Sequence, residues 1–237
     1  MKKLALSILA VVLVLNGWSN ATAQKAFSGT ISYDIKVAGN AEAEAAMSMF
    51  KITMNQSFLG KKSKMNMSMG SMMDINTIFD ADSKTGLVLM STMGENMAVE
   101  MDGTNLNQYL GRQRQNQKPP KIKAFKKKTK KVAGYKCYRV EVTTEAEETK
   151  EPVILYITEA IQPEGISQFH IQYPGLDGYP LIIEVEKDGM TITLEAEQVS
   201  KTKPKASDFE MEIPDGYKKT TLEQLNQMNM GGNLFGM

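Results

Sequence analysis

Apolar and polar residues alternate through most of this chain. In the segment 31–37 every second residue is apolar, as in Ile31, Tyr33 and Ile35, and polar residues stand between them. A period of two places one set of side chains on a buried face and the other in solvent, which is typical of a half-buried β-strand. Similar short segments recur, separated by turn residues such as those at 188–189. The pattern predicts a mainly β fold, either a sandwich or an open barrel of roughly ten strands.

The N-terminal segment has the features of a secretory signal peptide over residues 1–23. Lys2 and Lys3 precede an apolar run at 4–15, and the small residue Ala23 follows a polar stretch. The apolar run has 12 residues, whereas a membrane-spanning helix needs roughly 20. We therefore predict cleavage after Ala23 and a periplasmic or secreted protein.

Downstream of this cut the chain divides unevenly. Residues 24–220 carry the strand pattern and are predicted to form one β-sheet domain, while 221–237 are predicted to form a short amphipathic helix and a loose tail. A lipoprotein needs a cysteine directly after the cut, but the single cysteine is Cys137. We therefore do not expect a lipoprotein, and a single cysteine allows no intrachain disulfide. Burial of this thiol in a strand is the expected outcome.

Charge and residue content exclude several classes of function. The chain has 28 basic and 27 acidic side chains, whereas a nucleic-acid-binding protein usually carries a strong basic excess. His170 is the only histidine, so a histidine-based catalytic triad or a multi-histidine metal site has at most one member here. The sequence contains neither a phosphate-binding glycine loop nor a nucleophile elbow. We predict a protein that is not an enzyme, has no cofactor or metal site and does not bind nucleic acid.

Lysine is concentrated in one segment. Residues 118–131 contain eight lysines in 14 positions. Lysines at this density either protect an edge strand from aggregation or form a docking surface for anionic headgroups or an acidic envelope partner. The candidates for the docking surface are Lys121, Lys123, Lys126, Lys127, Lys128, Lys130 and Lys131.

Methionine is the most unusual component of the chain. Of 18 methionines, 12 lie between Met47 and Met101. Three interpretations are open: these side chains fill a core, they line a deformable cavity for acyl chains, or thioethers such as those of Met65, Met67 and Met69 bind Cu(I). The candidate residues for the core or cavity are Ile31, Tyr33, Ile35, Met54, Phe58, Met65, Met67, Met69, Leu87, Leu89, Met97, Val99 and Met101.

Three short motifs point to a known group of proteins. They are FSGTISY at 27–33, VAGYKC at 132–137 and YPGLDGYPL at 173–181. With them the chain resembles secreted Gram-negative envelope proteins whose fold is similar to the LolA/LolB-type lipoprotein carriers. More distantly it resembles the GLPGLI proteins, but residues 178–183 keep only the outline of the signature of those proteins. The resemblance implies a single curved antiparallel sheet, an incomplete barrel with a few short helices on its concave side and an apolar cavity for acyl chains. It implies no individual functional residue.

Together these features predict a non-enzymatic periplasmic or envelope protein that binds a lipid or lipidated ligand in the apolar cavity of a half-barrel. Its expected partners are lipid or lipoprotein acyl chains and a component of the outer membrane or envelope. One alternative is a packed interaction module that acts through the lysine-rich surface. Another is a methionine-based Cu(I)-binding protein. The oligomeric state is left open by the sequence.

Overall fold

The computed structural model describes residues 26–39, 41, 44, 45, 51–105, 119–143, 151–187 and 189–227. Its strands are β1 (Gly29–Ala38), β2 (Ile52–Leu59), β3 (Lys62–Met69), β4 (Met73–Asp80), β5 (Thr85–Thr92), β6 (Asn96–Met101), β7 (Lys121–Val132), β8 (Tyr135–Thr143), β9 (Val153–Thr158), β10 (Tyr179–Lys187), β11 (Met190–Ser200) and β12 (Lys218–Lys219). Helices include α1 (Gln168–Gln172), a 3-10 helix (Ala206–Phe209) and α2 (Leu222–Gln227). The predicted signal peptide and the tail beyond residue 227 lie outside the described residues.

All of these strands belong to one open, curved sheet. Their order across the sheet is β12-β6-β5-β4-β3-β2-β1-β11-β10-β9-β8-β7. Strands β1 to β6 and β7 to β11 are thus two runs of sequential neighbours, joined where β1 pairs with β11. All neighbouring strands pair antiparallel, except that β12 runs parallel to β6. The prediction of a mainly β fold with a single curved sheet is confirmed, although the described sheet is mixed and has 12 strands instead of roughly ten.

The strand register gathers methionines on one face of the sheet. The row that crosses β1 to β6 at mid-height consists of Tyr33, Met54, Met67, Ile75, Met90 and Met97. Because successive side chains of a strand alternate between faces, the neighbouring inward rows lie two residues away on each strand. They add Met65, Met69 and Met73 to the same face, and Met101 lies on it four residues beyond Met97. We call the inward positions of β2 to β6 the methionine face.

Helix α1 identifies this face as the inner one. Phe169 on α1 is 2% exposed, and its ring contacts the ring of Tyr33 edge-on with centroids 5.9 Å apart. A second edge-on contact, at 5.7 Å, joins Phe169 to Tyr179 of β10. A helix of five residues is not stable by itself, so its position depends on this packing. The helix therefore closes the inner side of the sheet near the β1–β11 junction, as expected for a helix on the concave side.

The chain after β11 covers part of the outer face. The 3-10 helix contacts β3, and farther on the Thr220 backbone N–H donates to the carbonyl oxygen of Ala98 at 2.9 Å. The segment 201–217 therefore crosses from β11 to the opposite edge, where β12 joins β6. Ile78 and Leu87, which point outward from β4 and β5, are almost completely buried. Among the described residues, the structure contains no helix that is long and apolar enough to span a bilayer.

Candidate functional site

The structure brings most of the predicted cavity residues onto the inner face. All of them except Leu87 and Leu89 point inward from β1, β2, β3 or β6. Those on the inner face are Ile31, Tyr33, Ile35, Met54, Phe58, Met65, Met67, Met69, Met97, Val99 and Met101. In these four strands, the residues that alternate as apolar in the sequence are therefore the ones that share the inner face.

The two exceptions are Leu87, which is 1% exposed, and Leu89. Both point to the outer face, where Leu87 pairs with Glu100 and Leu89 pairs with Ala98. Their neighbours Val88 and Met90 occupy the inward positions of β5 instead. The cause is that residues 87–90 are all apolar, so the sequence gives no phase for this strand. Leu87 is nonetheless almost completely buried on this side of the sheet, which the segment 201–217 crosses.

The inner face carries two packed clusters instead of one. The larger contains Ile31, Tyr33, Met54 and Phe58 together with α1 and the inward residues of β8 to β11. The smaller contains the inward residues Ile75, Phe79, Val88, Met90, Met97, Val99 and Met101. Met67 and Met73 pack only partly buried against the smaller cluster, as do Ile166 and Leu222. The middle of the methionine face is thus less covered than its two ends.

A small polar group interrupts this apolar face. Gln56, Ser63 and Thr77 point inward from β2, β3 and β4, and each is at least 95% buried. The Tyr179 hydroxyl donates to Gln56 Oε1, and nearby the Tyr33 hydroxyl donates to the carbonyl oxygen of Pro180 at 2.8 Å. Burial raises the pKa of both tyrosines well above the usual 10.0, so both phenols remain neutral hydrogen-bond donors.

The hydroxyls of Ser63 and Thr77 have no hydrogen-bond partner among the described residues. An unsatisfied buried hydroxyl typically destabilises a protein by about 1–3 kcal/mol. Ser63 and Thr77 line one partly open pocket between the sheet and the chain that leads into α1, together with Gln56 and Ile166. Sequence reasoning missed this group. The available signal was that Gln56 and Ser63 occupy positions where the alternation calls for apolar residues.

The predicted docking lysines all lie on β7, which forms one edge of the described sheet. All seven are exposed. Lys126 forms an ion pair with Glu159 at 2.9 Å, which raises the pKa of the lysine, and Lys130 lies 3.8 Å from Glu195. Lys123 and Lys128 place their ammonium groups over the ring of Phe125 at 4.9 and 5.1 Å. The pairing of β7 with β8 shifts register between Phe125 and Thr129. The lysines along this edge are therefore divided between two differently registered parts of β7.

The single histidine and the single cysteine both lie in buried or partly buried positions that are typical of structural residues. His170 Nε2 lies 3.1 Å from the carbonyl oxygen of Gly178, and burial lowers the pKa of the imidazole below its usual 6.5. Cys137 is buried, as predicted, and burial raises the pKa of its thiol to about 11, which makes it a poor nucleophile. Within the described ranges, no group of three or more His, Cys, Asp or Glu side chains is arranged to hold a metal ion.

The three methionines considered for Cu(I) do share a face. Met65, Met67 and Met69 all point inward from β3, with the thioether of Met73 opposite Met69 on β4. Soft sulfur ligands suit Cu(I), but the same side chains form the continuous apolar rows described above.

No protein-family model matches the chain, and no curated protein is significantly similar to it in sequence.

Proposed function

We propose that this protein binds a lipid, or the acyl chain of a lipidated ligand, on the methionine face of its curved sheet. The observation that carries the proposal is the group of partly exposed methionines at the centre of this face, Met65, Met67, Met69 and Met73. Methionine is unbranched and polarizable, so such a surface can adapt to apolar chains of different length and shape.

The chemistry of the face supports an apolar ligand. At the inward positions of β2 to β6, all of which are described, no residue carries a charge. An acyl chain would therefore bury its methylene groups there without desolvating an ion, and each methylene contributes about 0.8 kcal/mol. Met65, Met67, Met69 and Met73 keep part of their surface accessible, so the centre of the face offers the contact area.

The architecture agrees with a carrier-like role. An incomplete barrel with a helix on its concave side is what the resemblance to LolA/LolB-type carriers implies. The curved sheet and α1 are consistent with that implication. The proposed location is the periplasm or cell envelope, which rests on the signal-peptide pattern of residues 1–23.

The lysine-rich edge favours a second candidate, an interaction module for an acidic partner in the envelope. Its support is the exposure of all seven lysines on β7. Binding through this edge would weaken steeply with salt, because exposed charges are screened over about 8–10 Å at physiological ionic strength. A lipid ligand held by apolar contacts would not show that dependence.

The first experiment is native and lipid mass spectrometry of the protein purified from the periplasm. A stoichiometric co-purifying lipid is expected. The variant Met67→Gln should lose most of it, because a polar amide then stands in the central row. Ser68→Gln is the matched control, because it places the same side chain on the outer face of the same strand. A protein free of ligand, and still free of it after incubation with membrane lipids, would refute the proposal and favour the lysine-edge module.

A further inference from the structure

The unpartnered hydroxyls of the inner face are close neighbours. Thr77 lies beside Met65, and Ser63 is two residues before Met65 on β3. Both side chains point inward, at 5% exposure for Ser63 and 2% for Thr77. Neither oxygen has a hydrogen-bond partner among the residues that the structure describes. Two adjacent buried donors without acceptors are unusual, because buried polar groups in folded proteins are nearly always hydrogen-bonded.

The pocket that these hydroxyls line is suited to a small group. Its other walls include Phe58, Phe79 and Ile166, and its free space admits about one water-sized group. Gln56 also lines it, and because its Oε1 accepts from Tyr179, its amide nitrogen is the atom that remains to donate. The pocket is partly open, and Met65, which also lines it, is followed along the same face of β3 by the partly exposed Met67 and Met69.

The donors in the pocket select an uncharged acceptor. Ser63, Thr77 and the Gln56 amide are all neutral, and the nearby phenols are kept neutral by burial. Lys64 contributes to the rim, but its side-chain position belongs to the outer face of β3, together with that of Asn66. A carboxylate would therefore be desolvated without a compensating cation, whereas a carbonyl oxygen would accept two hydrogen bonds at little cost.

We propose that Ser63 and Thr77 bind the carbonyl oxygen of the ester or amide linkage of an acyl-chain ligand. The chain then runs from this pocket past Met65 onto the methionine face. This inference rests on the proposed function and adds its specificity: the protein selects acyl esters or amides over simple hydrocarbons and over free fatty acids. The ligand carbonyl then supplies the acceptor that the two hydroxyls lack among the described residues.

The test compares two probes of equal chain character, methyl dodecanoate and tridecane, and each competes with the neutral apolar dye N-phenyl-1-naphthylamine on the purified protein. The measured quantity is the ratio of the two affinities. In Ser63→Ala/Thr77→Val, the preference for the ester should fall roughly tenfold, because two hydrogen bonds are lost while the apolar surface is kept. The control Ser68→Ala/Thr53→Val removes the same hydroxyls from the outer face, where residues 68 and 53 pair, and should leave the ratio unchanged.

The outcomes separate the two proposals. If neither probe displaces the dye from the wild-type protein, the proposed lipid-binding function is wrong. If both probes displace it and the ester preference survives in Ser63→Ala/Thr77→Val, lipid binding stands and the carbonyl subsite is wrong. Thermal unfolding without ligand gives a second measurement. We expect this variant to be at least as stable as the wild type, because it removes two unsatisfied groups. A clear loss of stability would assign the hydroxyls to a bound structural water and overturn the subsite.

Discussion

The packing of α1 against the sheet leads to a quantitative prediction for Phe169→Ala. The Phe169 ring is 2% exposed, and it makes edge-on contacts with Tyr33 and Tyr179 at 5.9 and 5.7 Å. Removing a buried phenyl ring costs about 3–5 kcal/mol through lost transfer energy and the cavity that remains. The two aromatic contacts, about 0.5–1.5 kcal/mol each, place the expected loss toward the upper end. Against a total stability of about 5–15 kcal/mol, the variant should fold but with a reduced margin.

Urea unfolding followed by circular dichroism measures this loss, since the single tryptophan of the sequence lies at position 18 and within the predicted signal peptide. The melting temperature should also fall by about 6–20 °C. Phe125→Ala is the matched control. Phe125 lies half-buried on the edge strand β7, with two lysine ammonium groups over its ring, and its loss should cost about 1 kcal/mol or less. If Phe169→Ala costs no more than Phe125→Ala, α1 is not held by the core and the reasoning about its closing role is wrong.

Three further predictions concern single sites. Burial keeps the pKa of His170 below 6.5, so as the pH falls the imidazole is protonated in the unfolded chain before it is protonated in the folded one. The free energy of unfolding should therefore fall as the pH drops below about 6.5, and His170→Gln should flatten that part of the pH profile. With a thiol pKa of about 11, Cys137 should react with Ellman's reagent far more slowly in the native protein than in urea, and equal rates would contradict its burial. A Cβ at Gly165 would lie 2.9 Å from the carbonyl oxygen of Lys62, so Gly165→Ala should destabilise the protein by about 1–3 kcal/mol in urea titrations; Gly94→Ala, with nothing within 4 Å, should have no such effect.

Much of the sheet is predictable because alternation is a local signal. The apolar positions of 181–185 and 190–194 predict the hairpin that β10 and β11 form. The same logic places Met65 and Met67 on one face of β3. What alternation cannot give is the register between strands. The row that joins Met54 to Met97 becomes visible only when five strands are aligned, and their alignment depends on turns and on contacts across the whole sheet.

The missing parts of the prediction have separate physical causes. Residues 87–90 are uniformly apolar, and a strand that is covered on both sides has no preferred phase in its sequence. The segment 201–217 has no strand period because its regular structure is a 3-10 helix of only four residues, and β12 is only two residues long. Thr77 resembles any threonine in a strand. Its unsatisfied hydroxyl is a property of its neighbours, which the sequence does not reveal.

The position of β1 in the sheet has a consequence for how the chain acquires its structure. Strands β1 to β6 pair with neighbours in sequence, and so do β7 to β11. Such pairings close short loops and form quickly. The two runs meet only where β1 pairs with β11, from Thr30 opposite Ser200 to Ala38 opposite Thr191. That contact closes a loop of most of the described chain, so its entropic cost falls on the last step. The β1 edge would stay unpaired until then, and the time for which it is exposed sets the window for association with other chains.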